Sequence, residues 1–163
     1  MHGRIYVLTS EKAIEDGDYY SPFEECTMMD MIPGCDGVIK LDNPEIKESI
    51  EWINDVFNLS IRTDTIILEG NDALVGIVKP VDVEALIRGL KANKERRITE
   101  IRKEVQKTNP DMWKVSHTAY MDSVFYFVSV DDFSIHNEMD ILRYGIEPKE
   151  VPLYITQIYD YHS

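Results

Sequence analysis

The stretch TIILEGNDALVGIV, residues 65–78, decides the fold class. It holds two runs of β-branched and aliphatic residues, at 65–68 and 74–78, on either side of Gly70-Asn71-Asp72. Runs rich in Ile, Val and Thr favour extended strands, while Gly, Asn and Asp are the residues that tight turns use. The stretch therefore predicts an antiparallel β-hairpin, in which two strands follow each other without an intervening helix.

The segment before the hairpin predicts a helix. Asn43 is a favourable N-cap residue, and a proline at position 44 fits the first helical turn, where its missing N–H costs nothing. Four apolar residues then recur at helical spacing, so they share one face of the helix. They are Ile46, Ile50, Ile53 and Phe57.

Further helices and strands follow from the same kinds of signal. The capping box of Ser21 and Glu24 predicts a helix at 22–30. A longer helix is predicted at 81–107, with a break or protrusion around 91–94. A further helix is predicted to begin at Asn137, with Asp140 as its capping partner, and to end at residue 144. Strands are predicted at 5–9, 123–130 and 153–159. Strands and helices do not strictly alternate in this order. The chain is therefore expected to form a single α+β domain over residues 1–163, with an approximately five-stranded mixed or antiparallel sheet packed with three to four helices.

Length and composition bound the class of protein. A chain of 163 residues with 44% hydrophobic residues can bury a core without disulfides or a structural metal, so no cofactor is expected. Cys26 and Cys35 are separated by eight residues and match no zinc-finger spacing. With no secretory signature and no apolar stretch near the roughly 20 residues of a membrane span, we expect a cytoplasmic protein with free thiols.

The charges are distributed unevenly along the chain. The net charge is −13, yet residues 88–107 carry eight Lys and Arg against three Asp and Glu, or +5, which leaves −18 on the remainder. An acidic protein lacks the basic surface that nucleic acids and anionic membranes require, so neither is expected as a partner. A protein partner with a basic surface fits this charge. The basic segment is interpreted as a solvated helix that pairs with its own glutamates, or as a contact for a second copy of the chain or for an acidic site on a partner.

Candidate catalytic and metal-binding residues are few. The common phosphate-binding, hydrolase and zinc-protease motifs are absent from the sequence. Cys35 lies between glycines and could be a nucleophile with His117 and Asp122 as base or acid, although an ordinary turn explains the same residues. Asp131, Asp132 and His136 follow a predicted strand and are candidate metal ligands, but their spacing matches no metal motif, so no metal site is predicted.

Besides the basic segment 88–107, two segments are candidates for binding a partner. Residues 15–20 are predicted as an acidic loop with adjacent tyrosines, a combination that suits a basic protein surface. The candidate binding residues are Asp16, Asp18, Tyr19, Tyr20, Arg96 and Arg97. The C-terminal residues Tyr154, Tyr159, Tyr161 and His162 predict a tyrosine-rich edge strand, explained either by cross-strand packing or by an interface.

Three functions fit these observations. The first is a small acidic binding or regulatory protein, such as an inhibitor or immunity-type protein, that occupies a basic site on a macromolecular partner. The second is a small-molecule or nucleotide enzyme that uses a His, Cys and Asp site. The third is a structural assembly component whose basic helix meets an acidic face of a neighbouring copy.

Overall fold

The protein is built around a seven-stranded mixed sheet. The structure is a computed structural model that describes residues 2–17, 30, 32, 34–119, 125–129, 134–144 and 152–162. The strands are β1 (His2–Ser10), β2 (Gly37–Lys40), β3 (Arg62–Leu68), β4 (Asn71–Val78), β5 (Phe125–Ser129), β6 (Ser134–Asn137) and β7 (Leu153–His162). Five helices are described: α1 (Glu11–Asp16), α2 (Asn43–Phe57), α3 (Pro80–Val105), α4 (Met112–Ala119) and α5 (Glu138–Tyr144).

The last strand, β7, lies inside the sheet. Along one side it pairs antiparallel with β1, and along the other it pairs antiparallel with β4 near its start and with β2 near its end. The strand order is β3-β4-β7-β1-β5-β6, and β1 with β5 is a parallel pair. The prediction of a tyrosine-rich edge strand was therefore wrong: the tyrosines of β7 belong to an interior strand, and Tyr159 and Tyr161 are buried.

Local capping chemistry sets the start of α2. Asp42 is the N-cap: its carboxylate accepts a hydrogen bond from the Glu45 N–H at 3.0 Å, and the Glu45 carboxylate accepts one from the Asp42 N–H at 3.0 Å. The predicted cap at Asn43 was one residue late, because its side chain instead accepts a hydrogen bond from the Leu74 N–H of β4. The four predicted apolar residues of this helix are buried.

The capped start of α5 is confirmed. The Asn137 side chain accepts a hydrogen bond from the Asp140 N–H at 2.9 Å, and the Asp140 carboxylate accepts one from the Asn137 N–H at 3.2 Å. These reciprocal bonds satisfy backbone donors that a helix start otherwise leaves unpaired.

Helices α3 and α4 form a helical hairpin. α3 is continuous over 26 residues and spans about 39 Å at 1.5 Å per residue, so the break expected near residues 91–94 does not occur. Its buried apolar residues, Val83, Ala85, Leu86 and Leu90, all lie in its first half. The second half packs with α4, which has no buried residue of its own. This distal half of the hairpin therefore presents most of its surface to solvent.

The core lies on both faces of the sheet. On one face, side chains of β1, β5 and β7 pack with α2, the first half of α3, and Ile141 of α5. Tyr6 of β1 belongs to this cluster, and its hydroxyl donates to the Ser49 backbone oxygen of α2 at 3.1 Å. Burial raises the pKa of the Tyr6 phenol well above its usual value. On the other face, Ile32 and Cys35 pack with side chains of β1, β5 and β7.

The α+β class, the mixed sheet and the 65–78 hairpin agree with the prediction, but the counts do not. Seven strands and five helices are described where about five strands and three to four helices were predicted. The additional elements are α1, β2, α4 and β6. The helix predicted at 22–30 lies almost entirely outside the described residues. No helix in the described part of the chain combines the length and apolar character needed to cross a membrane.

Candidate interaction surface

The outer face of α2 combines carboxylates with exposed apolar side chains. Trp52 and Val56 are 40% and 51% exposed, and they are neighbours because residues four apart share a helix face. Exposed carboxylates surround them on the same helix. They are Glu45, Glu48, Glu51 and Asp55, and Lys47 is the only base of α2. We call this face, centred on Glu48, Trp52, Asp55 and Val56, the acidic strip.

The distal half of α3 carries a surface of opposite sign. Ile98 and Val105 are 38% and 48% exposed, and they lie two turns apart on one side of the helix. Lys94 precedes Ile98 by one turn, and Arg102 lies between the two apolar residues. Both cations are exposed, and within the described residues neither forms an ion pair within 4.0 Å. We call Lys94, Ile98, Arg102 and Val105 the basic strip.

Two buried or half-buried polar groups hold α4 on α3. Arg97 donates from Nε and Nη2 to the Thr118 backbone oxygen, at 3.1 and 2.9 Å, and so satisfies the end of α4. At the other end of the hairpin, Glu104 accepts hydrogen bonds from Lys107 Nζ at 2.7 Å and from the Asp111 N–H at 3.2 Å. Lys114 Nζ lies 3.6 Å from the same carboxylate. The hydrogen bond from Lys107, assisted by that of Asp111, lowers the pKa of Glu104.

The predicted binding residues are dispersed over the structure. Asp16 is exposed at the end of α1, which corrects the expectation that residues 15 and 16 form a loop; Gly17 ends that helix at φ +80°. Arg96 is exposed and pairs with Glu100 at 2.7 Å, one turn along α3. Arg97 is engaged at the end of α4. Asp18, Tyr19 and Tyr20 lie outside the described residues.

The candidate catalytic residues Cys35 and His117 are not brought together. Cys35 is a free, half-buried thiol in the cluster on one face of the sheet, and its Sγ lies 3.6 Å from the Gly37 backbone oxygen. His117 lies on α4, which packs on α3, and α3 covers the opposite face of the sheet. The imidazole of His117 is exposed and stacks on Trp113, with ring centroids 4.9 Å apart. Asp122 lies outside the described residues.

The candidate metal ligands form no described site. His136 lies in β6, where it pairs with Phe127 of β5. Asp131 and Asp132 lie outside the described residues. Among the residues that are described, no group of three or more His, Cys, Asp or Glu side chains is arranged to hold a metal ion.

A cleft of about 280 Å³ lies between α3, α4 and α5. Its walls include Leu90, Ile98, Ile101 and Leu142, with Lys94 and Glu138 among the polar lining residues. Ligand pockets usually enclose roughly 300–1,000 Å³, so this cleft is at the lower limit for a small molecule. Neither Cys35 nor His117 lines it.

Trp52 and Val56 are the residues of this surface that sequence reasoning missed. The signal was present: the predicted stripe of α2 leaves positions 52 and 56 off the buried face, so the spacing places a tryptophan and a valine side by side on the outer face. The four carboxylates of the helix share that outer surface.

No protein-family model, no curated protein and no solved structure matches this chain.

Proposed function

We propose that the protein is a small acidic binding or regulatory protein that occupies a basic site on a macromolecular partner, as inhibitors and immunity-type proteins do. The acidic strip on α2 is its contact surface. The observation that carries the proposal is the presence of exposed Trp52 and Val56 among exposed carboxylates on one helix face.

The composition of the acidic strip supports this role. Tryptophan is enriched among the residues that contribute most to protein interfaces, because it buries a large apolar area with little loss of side-chain entropy. Carboxylates at the margin of such a contact attract a basic partner and orient it during approach. For a partner of positive net charge the remainder of the protein strengthens this attraction, since the chain outside residues 88–107 carries a net charge of −18.

The rigidity of α2 also supports the proposal. The helix is fixed by its capping box at the start, by the buried residues Ile46, Ile50, Ile53 and Phe57 along its inner face, and by Asn54, which bonds both the N–H and the backbone oxygen of Ile61 beyond its end. A contact face on a rigid helix loses little conformational entropy when a partner binds.

An affinity capture experiment tests the proposal with a matched pair of variants. The tagged protein is incubated with lysate of its own source, washed at low and at high salt, and the captured proteins are identified by mass spectrometry. We expect one recurrent partner with a basic surface, lost at high salt, whose capture falls at least about tenfold with Trp52→Ala. Trp113→Ala is the control, since it removes a tryptophan that is 72% exposed on a different helix. Equal capture by the wild type and Trp52→Ala would contradict the proposal.

A further inference from the structure

We infer that the basic site that the acidic strip occupies is the basic strip of a second copy of this chain. The inference rests on the proposed function, because it names the partner of the same α2 surface. It joins Glu48, Trp52, Asp55 and Val56 of one copy to Lys94, Ile98, Arg102 and Val105 of the next.

The two strips match in size and in pattern. Each contains two exposed apolar residues and two charged residues on one helix face. At 1.5 Å per residue the acidic strip is about 12 Å long and the basic strip about 16 Å long. Two helices in contact interlock along comparable rows of side chains, so each strip offers the other a surface of suitable length.

The charges of the two strips are complementary and available for a contact. Four other cations of the hairpin are engaged within the molecule: Arg96 pairs with Glu100, Arg97 binds the end of α4, and Lys107 and Lys114 surround Glu104. Lys94 and Arg102 remain exposed beside the apolar residues. On α2, the only described ion pair is the 3.9 Å contact of Lys47 with Glu51, which leaves Glu48 and Asp55 beside Trp52 and Val56.

The placement of the two strips determines the kind of assembly. The acidic strip lies over the sheet, whereas the basic strip lies on the half of the α3–α4 hairpin that has few buried residues. Because the contact joins two different surfaces, it is heterologous: after the first contact one copy keeps its basic strip unused and the other keeps its acidic strip unused. Copies of the chain therefore associate head to tail, and the complex grows with concentration until a ring closes.

Sedimentation velocity with paired charge reversals tests this assignment. We expect the wild type to gain mass with concentration at low salt and to lose that mass at about 0.5 M salt, where the Debye length falls to a few Å. Glu48→Lys with Asp55→Lys, and separately Lys94→Glu with Arg102→Glu, each place like charges at the contact. Each double variant should therefore sediment as a monomer.

An equal mixture of the two double variants separates this contact from general charge effects. In the mixture, the unchanged basic strip of one variant faces the unchanged acidic strip of the other, and the two reversed strips also carry opposite charges. Association is therefore restored. Asp36→Lys with Glu84→Lys is the control for Glu48→Lys with Asp55→Lys, because it makes the same change of net charge at two exposed residues outside both strips and should associate as the wild type does. Circular dichroism checks that every variant is folded.

The outcomes separate this inference from the proposed function. A wild type that stays monomeric at all concentrations at low salt, or a mixture that fails to associate, overturns the assignment of a second copy. If capture of another protein still depends on Trp52 in that case, the proposed function stands without it. If neither self-association nor capture depends on Trp52, both the proposed function and the assignment of a second copy are overturned.

Discussion

The guanidinium of Arg97 on α3 closes the final turn of α4 through two hydrogen bonds to the backbone oxygen of Thr118, 21 residues further along the chain. The last carbonyl groups of a helix have no partner within the helix, and a cation near them also interacts favourably with the helix dipole. α4 is only eight residues long and has no buried residue, so it depends on contacts of this kind.

Replacement of Arg97 should release α4 without unfolding the sheet. In Arg97→Ala we expect the free energy of opening of the α4 amides to fall by about 1.5–3 kcal/mol, the range for hydrogen bonds to charged groups. Amide hydrogen exchange followed by mass spectrometry measures this locally. Arg96→Ala is the control, since it breaks an exposed ion pair with Glu100 worth roughly 0.3–0.5 kcal/mol. Equal effects of the two variants on α4 would refute this role of Arg97.

Glu104 should make the hairpin sensitive to acid. Its pKa is lowered chiefly by the hydrogen bond from Lys107, then by that from Asp111, so the folded hairpin prefers the charged carboxylate. A group with a lowered folded pKa contributes stability that is present above its unfolded pKa, near 4.3, and is lost as the pH falls through the folded pKa. We therefore expect the protection factors of the amides of residues 104–119, which correct for the intrinsic exchange rate at each pH, to fall at acidic pH below about 4.

A charge-neutral variant separates Glu104 from the other carboxylates. Glu104→Gln should show faster exchange in the hairpin already at neutral pH, and less further change on acidification. Glu95→Gln on the same helix is the matched control, because Glu95 is exposed. If Glu104→Gln kept the acid response of the wild type, the pH dependence would have another source.

Gly3 should not tolerate a side chain. A Cβ added at Gly3 would lie 2.2 Å from Cε1 and 2.5 Å from Cζ of the Tyr161 ring on the paired strand. That ring is buried and in edge contact with Tyr126, with ring centroids 5.5 Å apart, so it cannot move aside freely. Gly3→Ala should lower the free energy of unfolding by about 1–3 kcal/mol, as overpacking does.

Urea denaturation of a second glycine variant is the comparison for Gly3. Gly37 also pairs with β7, but a Cβ added there meets no atom within 4 Å. Gly37→Ala should change the free energy of unfolding by no more than about 0.5 kcal/mol. A similar loss of stability in both variants would show that strand conformation, and not the Tyr161 ring, limits these positions.

Local signals in the sequence predicted part of the fold. The hairpin at 65–78, the buried stripe of α2 and the cap formed by Asn137 and Asp140 all depend on residues within a few positions of each other. β2 and β6 were missed because each has only four residues, too few for a periodic pattern. The position of β7 inside the sheet depends on pairing with β1, about 150 residues away, which no local pattern encodes.

The candidate surface was less predictable than the fold. The sequence shows the excess of bases at 88–107. It does not show which of these bases are engaged in contacts within the molecule. Arg97 was grouped with Arg96 as a binding residue, and only the packing of α4 distinguishes the two. Trp52 could have been recognised from its position off the buried stripe of α2. Asp18, Tyr19 and Tyr20, which remain predictions as binding residues, lie outside the described part of the chain.

The most direct test of the α2 contact surface is photo-cross-linking from position 52. A photoreactive phenylalanine analogue replaces Trp52 in one variant and Trp113 in another, and each is irradiated in lysate of its own source and as purified protein. We predict a salt-sensitive adduct from position 52, with the mass of two chains in the purified sample, and little or none from position 113. An adduct from position 113 with none from position 52 would contradict the assignment of α2 as the binding surface.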